Sequence, residues 1–378
     1  MRTVAAVLRQ QGLPAPYRQS TPFVLEQVQL DGPKAGEVLV EVHAAGLCHS
    51  DYAQVAGLRK RRVPYVGGHE GAGIVLEVGS GVTDLRPGDH VVMTAASGCG
   101  HCSSCRHSRP VLCESIPYMR REGVLPNGAQ RLALDDGPLF HYSGVSSFAQ
   151  HAILVPNSLV KIDPSVPLEV AALFGCAVAT GVGSVLNAAR LRAGETVAVF
   201  GLGGVGLNAV MGARVGGASR IVGIDINDQR FLLARDLGCT DTLHAKDANL
   251  VAAIRELTNG GVDYVIEASG SPAALNTAHQ VVRRGGEIIC VGLGDANQMY
   301  EYNHASLVSE ERVLRGSQLG SGNPQIDIPL YVEFFLQGRL PVDRLMSKPV
   351  GLDRINACLD AMGEGDARQV LLPHAIGA

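Results

Sequence analysis

The chain has 378 residues, of which 46% are apolar and 18% charged, and its formal net charge is −4. It is too long for one ordinary domain and fits two, with enough apolar residues for a sizeable core and too few charges for a disordered chain. A small negative charge leaves no electrostatic footprint for nucleic acid.

The N-terminal run Met1-Arg-Thr-Val-Ala-Ala-Val-Leu-Arg-Gln breaks its apolar stretch too early for a secretory signal. No stretch reads as the ~18–20 apolar residues of a membrane span. The expectation is a cytoplasmic protein with reduced thiols and no membrane partner. Period-two alternation in Glu37-Val-Leu-Val-Glu-Val-His predicts a half-buried strand. Gly73-Ile-Val-Leu-Glu-Val-Gly and Gly88-Asp-His-Val-Val-Met repeat the signal, with Gly and Pro at the turns, so the first half reads as β-rich.

Cys99, Cys102, Cys105 and Cys113 then crowd into one short stretch. Cys-x2-Cys steps in an intracellular chain fit a tetrahedral zinc held by four thiolates. Structural disulfides are the competing reading, but the other cysteines are scattered singly. A metal with four protein ligands has no open position, so this lobe shapes a loop and does no chemistry.

From about residue 178 strands and helices alternate. Glu195-Thr-Val-Ala-Val-Phe, Arg220-Ile-Val-Gly-Ile-Asp, Val262-Asp-Tyr-Val-Ile-Glu and Gly286-Glu-Ile-Ile-Cys-Val read as buried strands. Helices are expected over 204–216, over 227–237 and from about Pro272. The series predicts a doubly wound parallel sheet. Gly201-Leu-Gly203-Gly204-Val205-Gly206 follows its first strand directly and opens a helix, and Asp225 ends the second strand. That context makes the glycines a dinucleotide fingerprint, with the pyrophosphate at the helix N-terminus. The Asp225 carboxylate suits ribose hydroxyls and repels a 2′-phosphate, which favours NAD over NADP. The last sixty or so residues are mixed in pattern, and periodicity alone does not assign them.

Gly46-Leu-Cys48-His-Ser-Asp51, Gly68-His69-Glu70-Gly-Ala-Gly73, the four-cysteine lobe, Gly175-Cys176-Ala-Val-Ala-Thr180-Gly181 and the glycine loop occur in the order and at the spacings of a known family. The chain resembles the zinc-dependent medium-chain alcohol dehydrogenases along essentially its whole length. A segment at about 114–147 resembles the extra loop of their longer, dimeric classes. The resemblance implies a β-rich GroES-like catalytic domain over 1–177, with the zinc lobe at about 97–115, completed by 320–378. It implies a Rossmann NAD-binding domain over 178–319 and a homodimer acting on a small alcohol or aldehyde.

Carried over residue by residue, Cys48, His69 and Cys176 bind a catalytic zinc with one open position, so each chain holds two Zn²⁺ and one NAD. There an alcohol loses its proton and then passes hydride to NAD⁺. Ser50 receives the alcohol proton, and Asp51 and Glu70 orient the ligands. Thr180, Val205, Val291 and Leu293 line the nicotinamide end. His49 and Arg368 face the pyrophosphate, and Arg230 stands beside the adenosine ribose.

Three departures matter. Ala53 occupies the position of a relay histidine, which leaves water, the ribose and His49 as the outward proton path. Arg59-Lys-Arg-Arg62 replaces the acidic residues that glutathione-dependent formaldehyde dehydrogenases place there. This disfavours a glutathione adduct and offers a solvated face or a positive rim for anionic substrates. Ala95 and Ala96 stand where relatives carry an aromatic, so a bulky or aromatic alcohol is expected. Cys239, Cys290 and Cys358 read as small apolar side chains. The expected activity is reversible oxidation of a primary or secondary alcohol by NAD⁺. The alternatives are a thiol-dependent formaldehyde dehydrogenase of the same fold and an NAD-binding redox sensor.

Overall fold

The computed structural model describes residues 1–95, 98–295, 297–364 and 368–377. Ala96 lies outside the described residues. The chain forms two compact units, one of Met1–Cys176, Asn323–Leu336 and Val342–Ala378, the other of Ala177–Gly322 and Gln337–Pro341. The expected boundaries differ by one residue at the first junction and three at the second. Gln337–Pro341, expected with the first unit, clusters with the second.

The first unit is built on the strand Val38–Gly46. It pairs antiparallel with Glu70–Val78, with His151–Leu154 and with Val370–Leu372. The C-terminal segment thus returns to the first unit as an internal strand, Val370 opposite Gly46. Val38, Val40 and Val42 alternate into a core with Val75, Val91 and Met93, as period-two patterning requires. A second sheet runs Gly137–Pro138, Leu132–Leu134, Phe23–Leu30, Arg2–Leu8, Tyr65–Val66, Phe140–His141. The extra loop supplies three of those six strands.

The second unit carries six parallel strands in the order Asp241–His244, Arg220–Asp225, Thr196–Phe200, Val262–Glu267, Val282–Cys290, Val313–Gly316. Strand order reverses after the first strand in sequence, which is where dinucleotides bind in such sheets. The expected helices form over Gly204–Val215, Phe231–Leu237 and Pro272–Val281. The second begins later than expected, because Asp228–Arg230 winds as a tighter turn capped by the Asn227 side chain.

One expectation fails. The helical run Leu168–Ala189 is long and apolar enough for a membrane span. Its glycines and Thr180 interrupt the apolar pattern by eye. In the fold it is a core element, 89% buried over its most apolar window, and Gly183 packs on Gly320 with no room for a side chain. Burial within protein answers its hydropathy.

Candidate active site and zinc sites

The strand Val38–Gly46 ends two residues before Cys48, which opens the helix His49–Val55. Asp51, three residues into the turn, is buried and does two things. Its Oδ2 accepts the Cys48 backbone N–H at 2.9 Å, and its Oδ1 lies 3.2 Å from His69 Nδ1. A carboxylate only accepts, so Nδ1 carries a proton, and in the neutral imidazole Nε2 keeps its lone pair. That Nε2 is buried and has no hydrogen-bond partner. Gly68 holds His69 in place: its φ is +86°, and a Cβ there would sit 2.4 Å from Ser147 Oγ. Cys176 arrives on a wide turn of helix, Phe174–Val178, of the kind that recurs at functional sites.

These elements bring Cys48, His69, Glu70 and Cys176 together, all buried, with ligand atoms within 4.8 Å of one another. The Cys48 and Cys176 sulfurs are 3.9 Å apart. Tetrahedral zinc at ~2.3 Å from each sulfur sets them about 3.8 Å apart, so this donor set fits the metal. The Cys48 thiol is held well below its ordinary value by the hydrogen bond with Cys176; burial opposes this, and the charges of Arg368 and His69 reinforce it. Burial works to depress the metal-free His69 imidazole, but Asp51 and Cys48 outweigh it and push it up to about 10. The pocket is made for positive charge. Ser50 Oγ lies 3.8 Å from Cys48 Sγ. His49 is exposed and stacks on Tyr52, ring centroids 5.3 Å apart, whereas Ala53 is buried.

Glu70 and Arg368 pair with each other. Glu70 was expected as an outer acid, yet its carboxylate lies among the ligand atoms, with Oε2 buried and unpartnered. Its Oε1 pairs with the Arg368 guanidinium. Arg368, expected at the cofactor pyrophosphate, rests on Glu70, its side chain 9% exposed.

Cys99, Cys102, Cys105 and Cys113 also bring their sulfurs within 4.8 Å of one another. Cys102 Sγ and Cys113 Sγ are 3.8 Å apart, again the tetrahedral thiolate spacing. For Cys113, burial raises the thiol, but the Ser115 hydroxyl and the N–H groups of Cys99 and Ser115 bring it down to about 6. Cys239, Cys290 and Cys358 show the reverse, pushed up to about 12, 11 and 11 by burial. Cys239 and Cys358 are buried and Cys290 half-buried.

In the second unit the glycine loop runs from Phe200 into Gly204–Val215, and no side chain caps that helix. Its N-terminal N–H groups stay available to an anion. A Cβ on Gly206 would lie 1.7 Å from the Gly201 carbonyl oxygen, so only glycine fits. A Cβ on Gly203 would meet nothing within 4 Å, which leaves the open cradle a pyrophosphate needs. The buried Asp225 carboxylate accepts N–H bonds from Leu202 at 2.6 Å and Asn227 at 2.8 Å, and pairs with Arg230 at 3.1 Å. Its remaining lone pairs are available for ribose hydroxyls, so the loop fits an NAD adenosine. Thr180 is buried; Val205 and Val291 are half-buried, and Leu293 is exposed.

Sequence reasoning missed Tyr142. Its ring stacks on Tyr65 at 5.1 Å and meets His69 edge-on at 5.8 Å. It comes from the extra loop and had no local signal.

Two zinc-type thiolate clusters, one with a histidine and a buried acid, together with a Rossmann glycine loop elsewhere in the chain, define a zinc-containing, dinucleotide-dependent dehydrogenase. An alcohol dehydrogenase GroES-like domain matches residues 34–164, and a zinc-binding dehydrogenase domain matches residues 204–337. The chain is 36% identical, over 98% of its length, to the whole of an S-(hydroxymethyl)glutathione dehydrogenase from Paracoccus denitrificans. It is 37% identical to a class-3 alcohol dehydrogenase from Drosophila melanogaster, covering 95% of this chain and 96% of that one. An alcohol dehydrogenase zinc-binding domain protein from Burkholderia ambifaria superposes with a TM-score of 0.93 at 38% identity, covering 99% of this chain and 100% of that one. Benzyl alcohol dehydrogenase from Acinetobacter calcoaceticus gives 0.91 at 32%, covering 98% and 99%. The chain belongs to the zinc-dependent medium-chain alcohol dehydrogenases and is similar to their class III; it is an NAD-dependent oxidoreductase with two zinc ions per chain.

Proposed function

We propose that this enzyme reversibly oxidises a bulky or aromatic primary or secondary alcohol, with Cys48, His69 and Cys176 holding the catalytic zinc. The observation that carries this is the buried, unpartnered His69 Nε2 aimed among two sulfurs at tetrahedral spacing. When bound, zinc supplies a Lewis acid that eases alcohol deprotonation, and NAD⁺ supplies the hydride acceptor. Asp51 fixes the His69 tautomer. Arg368 competes for the Glu70 carboxylate and so keeps a fourth protein ligand from closing the open position. Ser50 takes the alcohol proton. Ala53 cannot pass it on, and the exposed His49 on the same turn can. A His49→Gln variant is expected to lose about tenfold in turnover on the acid side of its pH profile. An unchanged profile rules His49 out.

Gly201, Gly203, Gly204 and Gly206 are assigned to the pyrophosphate, Asp225 and Arg230 to the adenosine ribose, and Thr180, Val205, Val291 and Leu293 to the nicotinamide. NADH absorbance on ethanol, benzyl alcohol and thiol–formaldehyde adducts decides the substrate. Benzyl alcohol is expected to exceed ethanol in kcat/KM by about tenfold or more, since each buried CH₂ adds about 0.8 kcal/mol. The names of several relatives favour a second reading, oxidation of an S-hydroxymethyl thiol adduct; an adduct turned over faster than every simple alcohol establishes it.

A cytoplasmic homodimer is part of this proposal. Nine free cysteines suit a reducing compartment. The edge strand Val313–Gly316 is exposed at all four residues, with Val308 exposed before it, and a second copy would cover it. Sedimentation equilibrium is expected to give twice the single-chain mass.

A further inference from the structure

The basic run at 59–62 is not one uniform rim. Arg62 pairs with Glu122 at 2.8 Å and lies over the Phe140 ring, and Lys60 is exposed. Arg61 is half-buried. Its N–H donates to Gln11 Oε1 at 3.0 Å, its Nη1 reaches only the Lys60 carbonyl at 3.4 Å, and its Nε is buried with no partner. Arg120, on the helix Ile116–Glu122, also has its Nε buried and unpartnered. Among the described residues no carboxylate pairs with Arg59, Arg61 or Arg120.

These cations are close enough to act on one another. Burial lowers the Arg120 guanidinium, and the like charges of Arg61 and Arg59 add to that, while Tyr142 opposes them. Tyr142 ties the group to the proposed catalytic centre: its ring meets His69 edge-on at 5.8 Å. A guanidinium nitrogen withdrawn from water without a partner is costly, and crowding like charges adds to the cost. The described residues supply no counter-charge. A ligand oxyanion would, and the planar guanidinium fork matches its oxygens in pairs.

We propose that Arg61 and Arg120 form an oxyanion subsite that takes the carboxylate or phosphate tail of the alcohol substrate. This rests on the reading of Cys48, His69 and Cys176 as the catalytic centre. The rest of the run shapes the loop.

The test uses zinc-replete, full-length enzyme and three compounds: benzyl alcohol, 4-(hydroxymethyl)benzoate and 4-(hydroxymethyl)phenyl phosphate. Calorimetry is expected to show at least one anion binding about tenfold or more tighter than benzyl alcohol, and the tighter anion identifies the tail. Arg61→Gln and Arg120→Gln should each reduce that preference about tenfold, in affinity and in the ratio of kcat/KM values, with partial recovery in Arg120→Lys. Equal affinity of the wild type for all three compounds overturns the proposal. So does an equal loss on charged and neutral compounds in both Gln variants. If the anions bind selectively, the Gln variants abolish that, and no compound is oxidised, the subsite stands and the alcohol reading falls. Oxidation of all three without anion selectivity has the opposite meaning.

Discussion

A Cys176→Ser enzyme is expected to carry one zinc per chain in place of two and to lose about a thousandfold in kcat/KM for alcohols. Serine is nearly isosteric, so the wide turn Phe174–Val178 keeps its place in the core. What is lost is a soft anionic donor 3.9 Å from Cys48 Sγ. A hydroxyl is a poor ligand at neutral pH, and a Cys–His pair alone holds the ion weakly. A thousandfold is roughly 4 kcal/mol of transition-state stabilisation at 1.36 kcal/mol per decade, within the several kcal/mol that a Lewis acid supplies. Metal analysis separates this from unfolding, because the four-sulfur lobe at Cys99, Cys102, Cys105 and Cys113 should retain its zinc. Full activity in the one-zinc variant removes Cys176 from the centre.

What the sequence made legible was what lies close together along it. The cysteine lobe and the Gly201–Gly206 loop are local devices whose residue types and spacing imply their chemistry before any tertiary contact is known. Parallel strands were equally plain, because strands covered on both faces are continuous apolar runs. The Glu70–Arg368 pair spans 298 positions, and nothing near either residue reports the other. Tyr142 reaches His69 only because the extra loop adds strands to the second sheet. Leu168–Ala189 was underread because glycine is poor in hydropathy yet ideal for close packing, as Gly183 against Gly320 shows. Arg59 to Arg62 looked like one patch in sequence, but tertiary partners divide it, Glu122 taking Arg62 and Arg120 joining Arg61. The proposed catalytic zinc ligands were legible only as a set, through family resemblance. A lone cysteine or histidine is more often core than ligand, and the buried unpartnered Nε2 is what distinguishes His69.

Asp225→Ser is expected to relax cofactor preference, with kcat/KM for NAD⁺ falling about tenfold and the NAD⁺ to NADP⁺ ratio falling a hundredfold or more. The carboxylate is fixed by the Leu202 and Asn227 N–H groups, so it cannot swing away from an incoming 2′-phosphate. Two like charges about 4 Å apart repel by roughly 4 kcal/mol at the effective dielectric of a protein surface, which is about three decades of discrimination. Serine removes that repulsion and leaves the positive charge of Arg230, now 3.1 Å from the carboxylate, to attract the phosphate instead. The loss on NAD⁺ is smaller, because the serine hydroxyl still offers one hydrogen bond to the ribose. Steady-state kinetics with both cofactors, at fixed alcohol and fixed ionic strength, reads the ratio directly. If NADP⁺ remains as poor a substrate as before, the discrimination lies elsewhere in the adenosine site and not in the charge of Asp225.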